Sequence, residues 1–158
     1  MGYINPLFND SEITKVNQSS SPRQKKTTEK VRATRSDKTH NVKFPVSSTV
    51  QIKLKSFCKQ AKRIRQLKGK EDITQTKFNT LLLQFGLAHK EILDWNHEYK
   101  DTKTYMHTNI LEIEYEREIG GPHGLAIQKN TSERKVVYHV ILSVLCWLER
   151  GGNIEKIL

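Results

Sequence analysis

Three groups of residues carry side chains that could do chemistry, and their spacing limits what each could support. Six histidines are scattered along the chain, and the nearest pair, His89 and His97, is eight residues apart. Two metal ligands on one helix face are usually separated by roughly three or four residues, so the spacing does not predict a metal site. No serine or cysteine forms a recognisable nucleophile–base pattern with a histidine.

The other two groups lie between residues 107 and 124. Glu112, Glu114 and Glu116, with His107, could hold a metal ion for a nuclease, but carboxylates that alternate along a strand are typical of its solvated face. The segment GGPHG, residues 120–124, could bind an anion through its amides, but the Lys-Ser/Thr pair of a phosphate-binding loop does not follow it. The sequence therefore predicts a protein that is not an enzyme and has no cofactor, and the glycines indicate a hairpin turn.

Charge is distributed unevenly between the two halves of the chain. Residues 1–77 contain 18 Lys and Arg against 6 Asp and Glu, a net charge of +12. Residues 78–158 contain 9 against 11, a net charge of −2. Clustered positive charge without an apolar anchor is typical of proteins that bind nucleic acid, so the first half is the candidate for contact with a polyanion.

The first 40 residues are the most polar part of the chain. Residues 9–40 are rich in Ser, Thr, Lys and Arg and have few large apolar side chains. Such a segment buries too little surface to offset the entropy of ordering, so we predict a disordered basic arm over residues 1–40. The arm could simply be solvated, but its positive charge favours contact with a nucleic-acid backbone. The candidate residues for that contact are Arg32, Arg35 and Lys38.

Apolar runs and cysteines indicate where the protein resides. No run reaches the roughly 18 to 20 apolar residues that a spanning helix needs, and the amino terminus lacks a basic-then-apolar signal pattern. We therefore expect a cytoplasmic protein without a membrane partner. Cys58 and Cys146 lie far apart, each within an apolar helical pattern, so we expect buried reduced thiols.

Residues 42–67 allow two interpretations of the first strand and helix. In the first, apolar residues alternate over 42–46 as a strand, Ser47 or Ser48 caps a helix, and apolar residues then repeat at spacings of three and four as far as Ile64. The serine pair favours this interpretation, although Pro45 would remove a donor from the strand ladder.

In the second interpretation the strand lies about eight residues later. Val50, Ile52 and Leu54 alternate with polar residues, and the helix begins only near Phe57. Both interpretations continue in the same way: the first helix breaks at Gly69, Thr74 caps a second helix, and Gly86 ends or bends it.

The remaining residues predict a mixture of short elements and one long helix. We expect a short helix near residues 87–101 with Ile92 and Trp95 inward. A half-buried strand should follow, in which Leu111, Ile113 and Tyr115 alternate with glutamates, and then a returning strand over residues 125–129. A final helix begins after Ser132 and stops at Gly151–Gly152; it is apolar on nearly every side, so it should be buried all round or lie at a subunit interface.

The run from about Asn41 to Leu87 resembles the ribbon-helix-helix (MetJ/Arc-like) DNA-binding family. It has a short alternating strand, an amphipathic helix, a loop, and a second helix opened by hydroxyl-rich sequence, although the first helix and its loop are longer than is usual in that family. The resemblance covers roughly 47 of the 158 residues. It implies that two chains interlock and pair their strands into an antiparallel ribbon that enters the major groove, so we expect a homodimer.

The resemblance also implies which residues contact double-stranded DNA. Outward residues of the ribbon would read base edges, namely Asn41, Lys43 and Pro45 in the first interpretation, or Gln51, Lys53 and Lys55 in the second. The amino terminus of the second helix would hold a phosphate through its free amides and dipole. The candidates there are Thr74, Gln75, Thr76 and Lys77. Thr74 would cap the helix in any case, and the lysines between Lys53 and Lys70 could simply form a solvated helix face.

We therefore predict an α+β fold: the arm over residues 1–40, a ribbon-helix-helix module over 41–87, and a β-hairpin and helix domain over 88–158 for oligomerisation or partner binding. The whole chain is reminiscent of auxiliary DNA-binding proteins of Gram-positive plasmids. The predicted function is sequence-specific DNA binding, as a repressor or as an accessory protein at a plasmid transfer or replication origin, with a relaxase or replication protein as a further partner. The alternative is a protein-interaction adapter or RNA-binding protein with a basic solubilising half.

Overall fold

The computed structural model describes Ala33 and residues 35–158. Most of the predicted arm, including Arg32, lies outside these residues. The main elements are strand β1 (Thr39–Pro45), helix α1 (Ser48–Leu67), helix α2 (Gln75–Ala88), strand β2 (Tyr105–Leu111), helix α3 (Glu112–Tyr115), helix α4 (Leu125–Gln128) and helix α5 (Glu133–Glu149). The fold class is α+β, as predicted.

The beginning of the fold follows the first interpretation of residues 42–67. Val42 and Phe44 point inward from β1, and the Ser47 side chain caps α1 by accepting a hydrogen bond from the amide of Val50 at 3.3 Å. Lys53 and Lys55 therefore lie on a helix, and the second interpretation is wrong. The helix prevails there because five apolar positions stay in register from Val50 to Ile64, whereas the alternation of the rival strand covers only residues 50–54.

The second helix begins where the sequence predicts and runs past its glycine. The Thr74 side chain accepts a hydrogen bond from the amide of Lys77 at 3.2 Å and so caps α2. Gly69, with a φ of 66°, follows the end of α1. Gly86 lies inside α2, and a Cβ there would come within 2.5 Å of Val140 Cγ1. This glycine allows α2 and α5 to pack closely, and it does not end the helix, which continues to Ala88.

The two strands pair antiparallel within one chain and form the only sheet of the described residues. Asn41 lies opposite Asn109, and Lys43 lies opposite His107. One face of this two-stranded ribbon is buried against α2 and α5, and it carries Val42, Phe44, Met106, Thr108 and Ile110. The other face is largely exposed.

Helix α5 is the central element of the core. Ten of its residues are buried, from Val136 to Leu148. It packs against α2 and lies next to β1, so its apolar character on all sides is satisfied within the chain. No helix of the described residues is both long and apolar enough to cross a membrane.

The predicted hairpin after residue 110 was wrong. Residues 112–115 form α3, which continues into a π-helical turn (Glu116–Gly120), and residues 125–128 form α4. The helix is favoured because Tyr115 and Ile119, four residues apart, are both buried, whereas Ile113 is 54 % exposed. Between α2 and β2 the only helical segment is the 3₁₀ turn Lys90–Ile92, so the longer helix predicted there was also wrong.

Residues Thr34–Leu158 form a single compact unit. Strand β1 pairs with β2 across residue 88, where two domains were predicted to meet. Val42, Phe44 and Val46 are buried within the chain, so covering them does not require a second copy. The homodimer that the family resemblance implies stays a prediction.

Candidate nucleic-acid interface

The exposed face of the ribbon presents polar side chains from both strands. Asn41 Nδ2 donates to Asn109 Oδ1 at 2.8 Å, and His107 Nδ1 lies 3.2 Å from Asn41 Oδ1. Because an amide oxygen only accepts, this second contact is a hydrogen bond when the proton is on His107 Nδ1. Asn41, Lys43 and Asn109 are exposed, so this polar face is accessible to a ligand.

The predicted outward residues of the ribbon have different surroundings. Lys43 lies opposite His107 and forms no ion pair with the described residues, so its charge is available to a ligand. Pro45 is opposite Tyr105 but is buried, because the end of β1 turns into the core at Val46. A buried proline at this position cannot reach a base edge, so Pro45 leaves the set of outward residues.

The amino-terminal part of α2 is attached to the outer edge of β2. Asn79 Nδ2 donates to the carbonyl of His107 at 3.1 Å, and the amide of Asn109 donates to Thr80 Oγ1 at 2.8 Å. Gln75 Nε2 donates to Asn79 Oδ1 at 2.9 Å and continues this chain of contacts towards the helix start. The first two turns of α2 are thereby fixed to the outer edge of β2.

The start of α2 combines free donors with positive charge. The backbone amides of Gln75 and Thr76 have no hydrogen-bond partner among the described residues, and the first turn contains no acidic residue. Thr74 and Lys77 are exposed, whereas Gln75 and Thr76 are half-buried. The unpaired amides and the helix dipole make this end a favourable position for an anion.

The amino terminus of α5 lies on the other flank of the ribbon, beside β1. The Ser132 side chain caps the helix, and the Arg134 guanidinium lies 5.5 Å from the ring centre of Tyr105 on the ribbon. Lys135 Nζ lies 5.2 Å from the ring centre of Tyr99. Helix starts with nearby cations thus stand on both sides of the ribbon.

Helix α1 carries a further set of positive charges. It contains six Lys and Arg residues and no acidic residue. Lys53 Nζ forms an ion pair with Glu149 at 2.6 Å, and this hydrogen bond raises the pKa of Lys53. Lys55 is exposed and belongs to the solvent-facing stripe of α1, together with Lys59 and Arg63.

The described end of the arm is partly neutralised by its own neighbours. The Arg35 guanidinium donates to both carboxylate oxygens of Asp37, at 3.0 and 2.8 Å. Lys38 Nζ lies 3.9 Å from Glu112 Oε2. The side chains of Arg35 and Lys38 are largely exposed, so both ion pairs contribute little to stability. Either cation can therefore exchange its carboxylate partner for a phosphate.

His107 and Asn109 belong to the polar face, and the sequence interpretation missed both. The sequence does contain the alternation of a half-buried strand there, because Met106, Thr108 and Ile110 alternate with polar residues. The longer alternation of glutamates over residues 111–116 predicted a strand that lies too far along the chain. The distance between the strands in sequence also hid their pairing.

A second polar cluster contains an aspartate, histidines and a serine, the residue types of a hydrolase site, but its hydrogen bonds hold two segments of the fold together. The amide of Asp94 donates to Ser143 Oγ at 2.8 Å, and this hydroxyl donates to the carbonyl of His139 at 2.7 Å. His97 Nε2 lies 3.3 Å from Ser143 Oγ. Since Ser143 is buried and its hydroxyl binds backbone groups, the cluster fastens residues 94–97 to α5.

The charges of this cluster are adjusted by burial and by local donors. Burial lowers the pKa of His139, and the nearby His97 lowers it further. The backbone amide of Asn96 donates to the Asp94 carboxylate and lowers the pKa of Asp94. Among the described residues, no group of three or more His, Cys, Asp or Glu is arranged to hold a metal ion.

Comparison of the chain with models of protein families, with curated proteins and with solved structures gives no match.

Proposed function

We propose that this protein binds double-stranded DNA and that its two-stranded ribbon is the element that reads the sequence. The observation that carries the proposal is the exposed polar face of Asn41, Lys43, His107 and Asn109. A two-stranded antiparallel ribbon has the width of the major groove, where each base pair presents a distinct pattern of donors and acceptors.

The residue types on this face suit base recognition. An asparagine amide can pair with the edge of adenine, and a lysine can donate to the acceptors of guanine. Asn109 uses its Oδ1 to accept from Asn41, and its Nδ2 has no partner among the described residues. The contact between the two amides holds both side chains in place before DNA binds, which lowers the entropy that is lost on binding.

The flanks of the ribbon supply positions for phosphates. On one side are the free amides of Gln75 and Thr76 with Lys77, and on the other side are Arg134 and Lys135 at the start of α5. Phosphate contacts fix the register of a protein on DNA, and base contacts then select the sequence. We propose that the two helix starts contact the backbones on either side of the groove.

We propose that the chain uses a modified form of the ribbon-helix-helix arrangement. Each strand is followed directly by a helix, and the chain then returns so that α2 lies beside β2 and α5 lies beside β1. In the family, two chains supply the two strands of the ribbon. We propose that one chain supplies both here, and that a homodimer would present two such ribbons to neighbouring half-sites.

The charge of the chain agrees with this proposal. Residues 1–77 have a net charge of +12, and Lys and Arg that neutralise phosphates release counterions and strengthen binding. A role as a repressor, or as an accessory protein that meets a relaxase or replication protein at a plasmid origin, is the biological setting that we propose from the sequence resemblance.

The test is a binding measurement with the full chain. A preferred duplex is first selected from random double-stranded DNA, and fluorescence anisotropy then compares it with random duplex and with single-stranded RNA of equal length over a range of salt concentrations. We expect the preferred duplex to bind tightest, with affinity falling as salt rises. Equal binding to all three, or tightest binding to RNA, would favour the RNA-binding alternative. Absence of nucleic-acid binding would favour the adapter.

A further inference from the structure

The two outer edges of the ribbon differ in whether their backbone amide and carbonyl groups have hydrogen-bond partners. The outer edge of β2 is closed by side chains of α2, since Asn79 and Thr80 bond its carbonyl and amide groups. The outer edge of β1 faces an open groove with a volume of about 1140 Å³. Exposed strand edges are templates for pairing with another extended chain, so the open edge is the place where such a chain could add.

The backbone groups that face the groove follow from the pairing. At β2, the groups of His107 and Asn109 point away from β1, because they bond α2. Asn41 and Lys43, directly opposite, are therefore the residues whose amide and carbonyl groups point away from β2. These groups have no hydrogen-bond partner among the described residues.

The groove has a positive rim and a partly apolar wall. Lys43, Arg134 and Lys135 line it, and Ala126 and Ile127 contribute apolar surface. Glu133 is the one acidic residue of the lining. An extended occupant with acidic side chains would complement this rim.

We propose that the groove binds an extended, acidic peptide segment of a partner protein, which adds to β1 as a third strand through the amide and carbonyl groups of Asn41 and Lys43. Main-chain hydrogen bonds would supply much of the affinity, and the cations of the rim would select the acidic sequence. The proposal rests on the strand edge and the groove, and it does not depend on DNA binding by the ribbon face.

Charge disfavours the other two occupants. Residues 1–32 of this chain contain six Lys and Arg against three Asp and Glu, so as a whole they carry the same sign as the rim. A second copy of β1 would bring another Lys43 towards the same cations. Like charges placed close together weaken an interface, and an acidic partner is therefore the better complement.

The probe is a dye-labelled peptide of alternating glutamate and valine, titrated against the full chain. Two control peptides replace glutamate by lysine or carry N-methyl groups on alternate backbone amides. We expect a dissociation constant of about 100 µM or tighter for the acidic peptide, and at least about tenfold weaker binding of both controls. Amide hydrogen exchange should slow at Asn41 and Lys43 when the acidic peptide is bound, because these amides then gain partners.

Variants distinguish the groove from the rest of the surface. Arg134→Glu with Lys135→Glu should weaken the acidic peptide by about tenfold or more, whereas Arg150→Glu with Lys156→Glu, the same reversal at two exposed residues outside the groove, should leave it within about twofold. Asn41→Pro removes an amide that the ladder with β2 does not use, so it should weaken the peptide while the melting temperature is largely kept.

Four results would overturn the proposal. The first is no binding up to about 1 mM peptide, and the second is equal binding of the N-methylated peptide. The third is slow amide hydrogen exchange at Asn41 and Lys43 in the free chain, caused by its own amino-terminal residues. The fourth is exchange at these amides that slows as the protein concentration rises. The third would identify an intramolecular occupant and the fourth a second copy. If Asn41→Pro does not fold, the N-methylated peptide still tests the main-chain contact.

Discussion

Asn41 and Asn109 join the two strands of the ribbon through a hydrogen bond between their side-chain amides, although 68 residues separate them in the sequence. They form a non-hydrogen-bonded pair of the antiparallel ladder, the kind in which opposite side chains lie closest together, and both side chains are on the exposed face. The polar face is thus a joint product of both halves of the chain, and neither half carries it alone.

Substitutions on the ribbon face should alter sequence preference. Lys43→Ala and Asn109→Ala should each cost roughly 1–3 kcal/mol of binding free energy on the preferred duplex and relax discrimination at the contacted base pairs. The measurement is anisotropy against the preferred duplex and its single-base variants. Lys156→Ala, an exposed lysine outside the ribbon, is the control and should keep the preference. Unchanged discrimination in both ribbon variants would remove the ribbon as the reading element.

The cap of α2 should contribute both to stability and to phosphate contact. Thr74→Ala should cost roughly 1 kcal/mol of unfolding free energy and weaken preferred and random duplex alike. Ser47→Ala removes the corresponding cap of α1, so it should cost a similar free energy without weakening DNA. Urea unfolding and anisotropy give the two readouts. Equal loss of DNA binding in both variants would mean that the effect arises from stability alone.

Gly86 should tolerate no side chain while Val140 is present. A Cβ at position 86 would come within 2.5 Å of Val140 Cγ1 and 2.9 Å of Val144 Cγ2, so Gly86→Ala should destabilise by roughly 1–3 kcal/mol despite the better helix propensity of alanine. The double variant Gly86→Ala with Val140→Ala should lose less than the sum of the single changes in a double-mutant cycle. Strict additivity would contradict this close packing.

Stability should fall as the solution becomes mildly acidic, because His139 is buried without a charge. Its pKa is lowered in the folded chain, mainly by burial, so the unfolded chain takes up the proton first as the pH drops below the ordinary value of 6.5. The contribution of this residue is therefore complete above that pH and is lost below it, at no more than about 1.4 kcal/mol per pH unit. Urea unfolding from pH 8 to 5 should give a flatter curve for His139→Gln than for the wild type. His123→Gln, at an exposed position, is the control and should keep the wild-type slope.

The first half of the fold should not be stable by itself. A fragment of residues 35–88 lacks β2 and α5, and it would expose Val42, Phe44 and Leu83. Circular dichroism should therefore report little helix for this fragment and a folded state for residues 35–158. A folded dimer of the fragment would instead support the obligatory dimer that the family resemblance implies.

Local patterns predicted the three long helices well, and they predicted the short helices and the pairing of the strands poorly. Ser47, Thr74 and Ser132 cap their helices because a hydroxyl before an apolar repeat is a signal carried by a few adjacent residues. The partner of β1 could not be found in this way, since β2 begins 60 residues after the end of β1. The strand predicted near residue 113 was wrong for a related reason. The alternation of Glu112, Glu114 and Glu116 fits a strand, but the burial of Tyr115 and Ile119, four residues apart, fits a helix.

The distance in sequence between the two strands also limited the prediction of the candidate site. Lys43 and Thr74 were named as candidates because the run of residues 41–87 resembles the ribbon-helix-helix family, whereas His107 joins the polar face only through its contact with Asn41. The open edge of β1 is also invisible in the sequence, because it depends on which backbone groups the pairing consumes.

The long separation of the two strands has a consequence for synthesis of the protein. Residues 39–88 are synthesised before β2 exists, and the ladder of β1 can be completed only after residue 111 has been made. Contacts that close a long loop are slow to form, so a β1 without its partner persists on the nascent chain. During that interval both of its edges are open to other chains, and the yield of folded protein should therefore depend on translation rate and on chaperones that shield exposed strands.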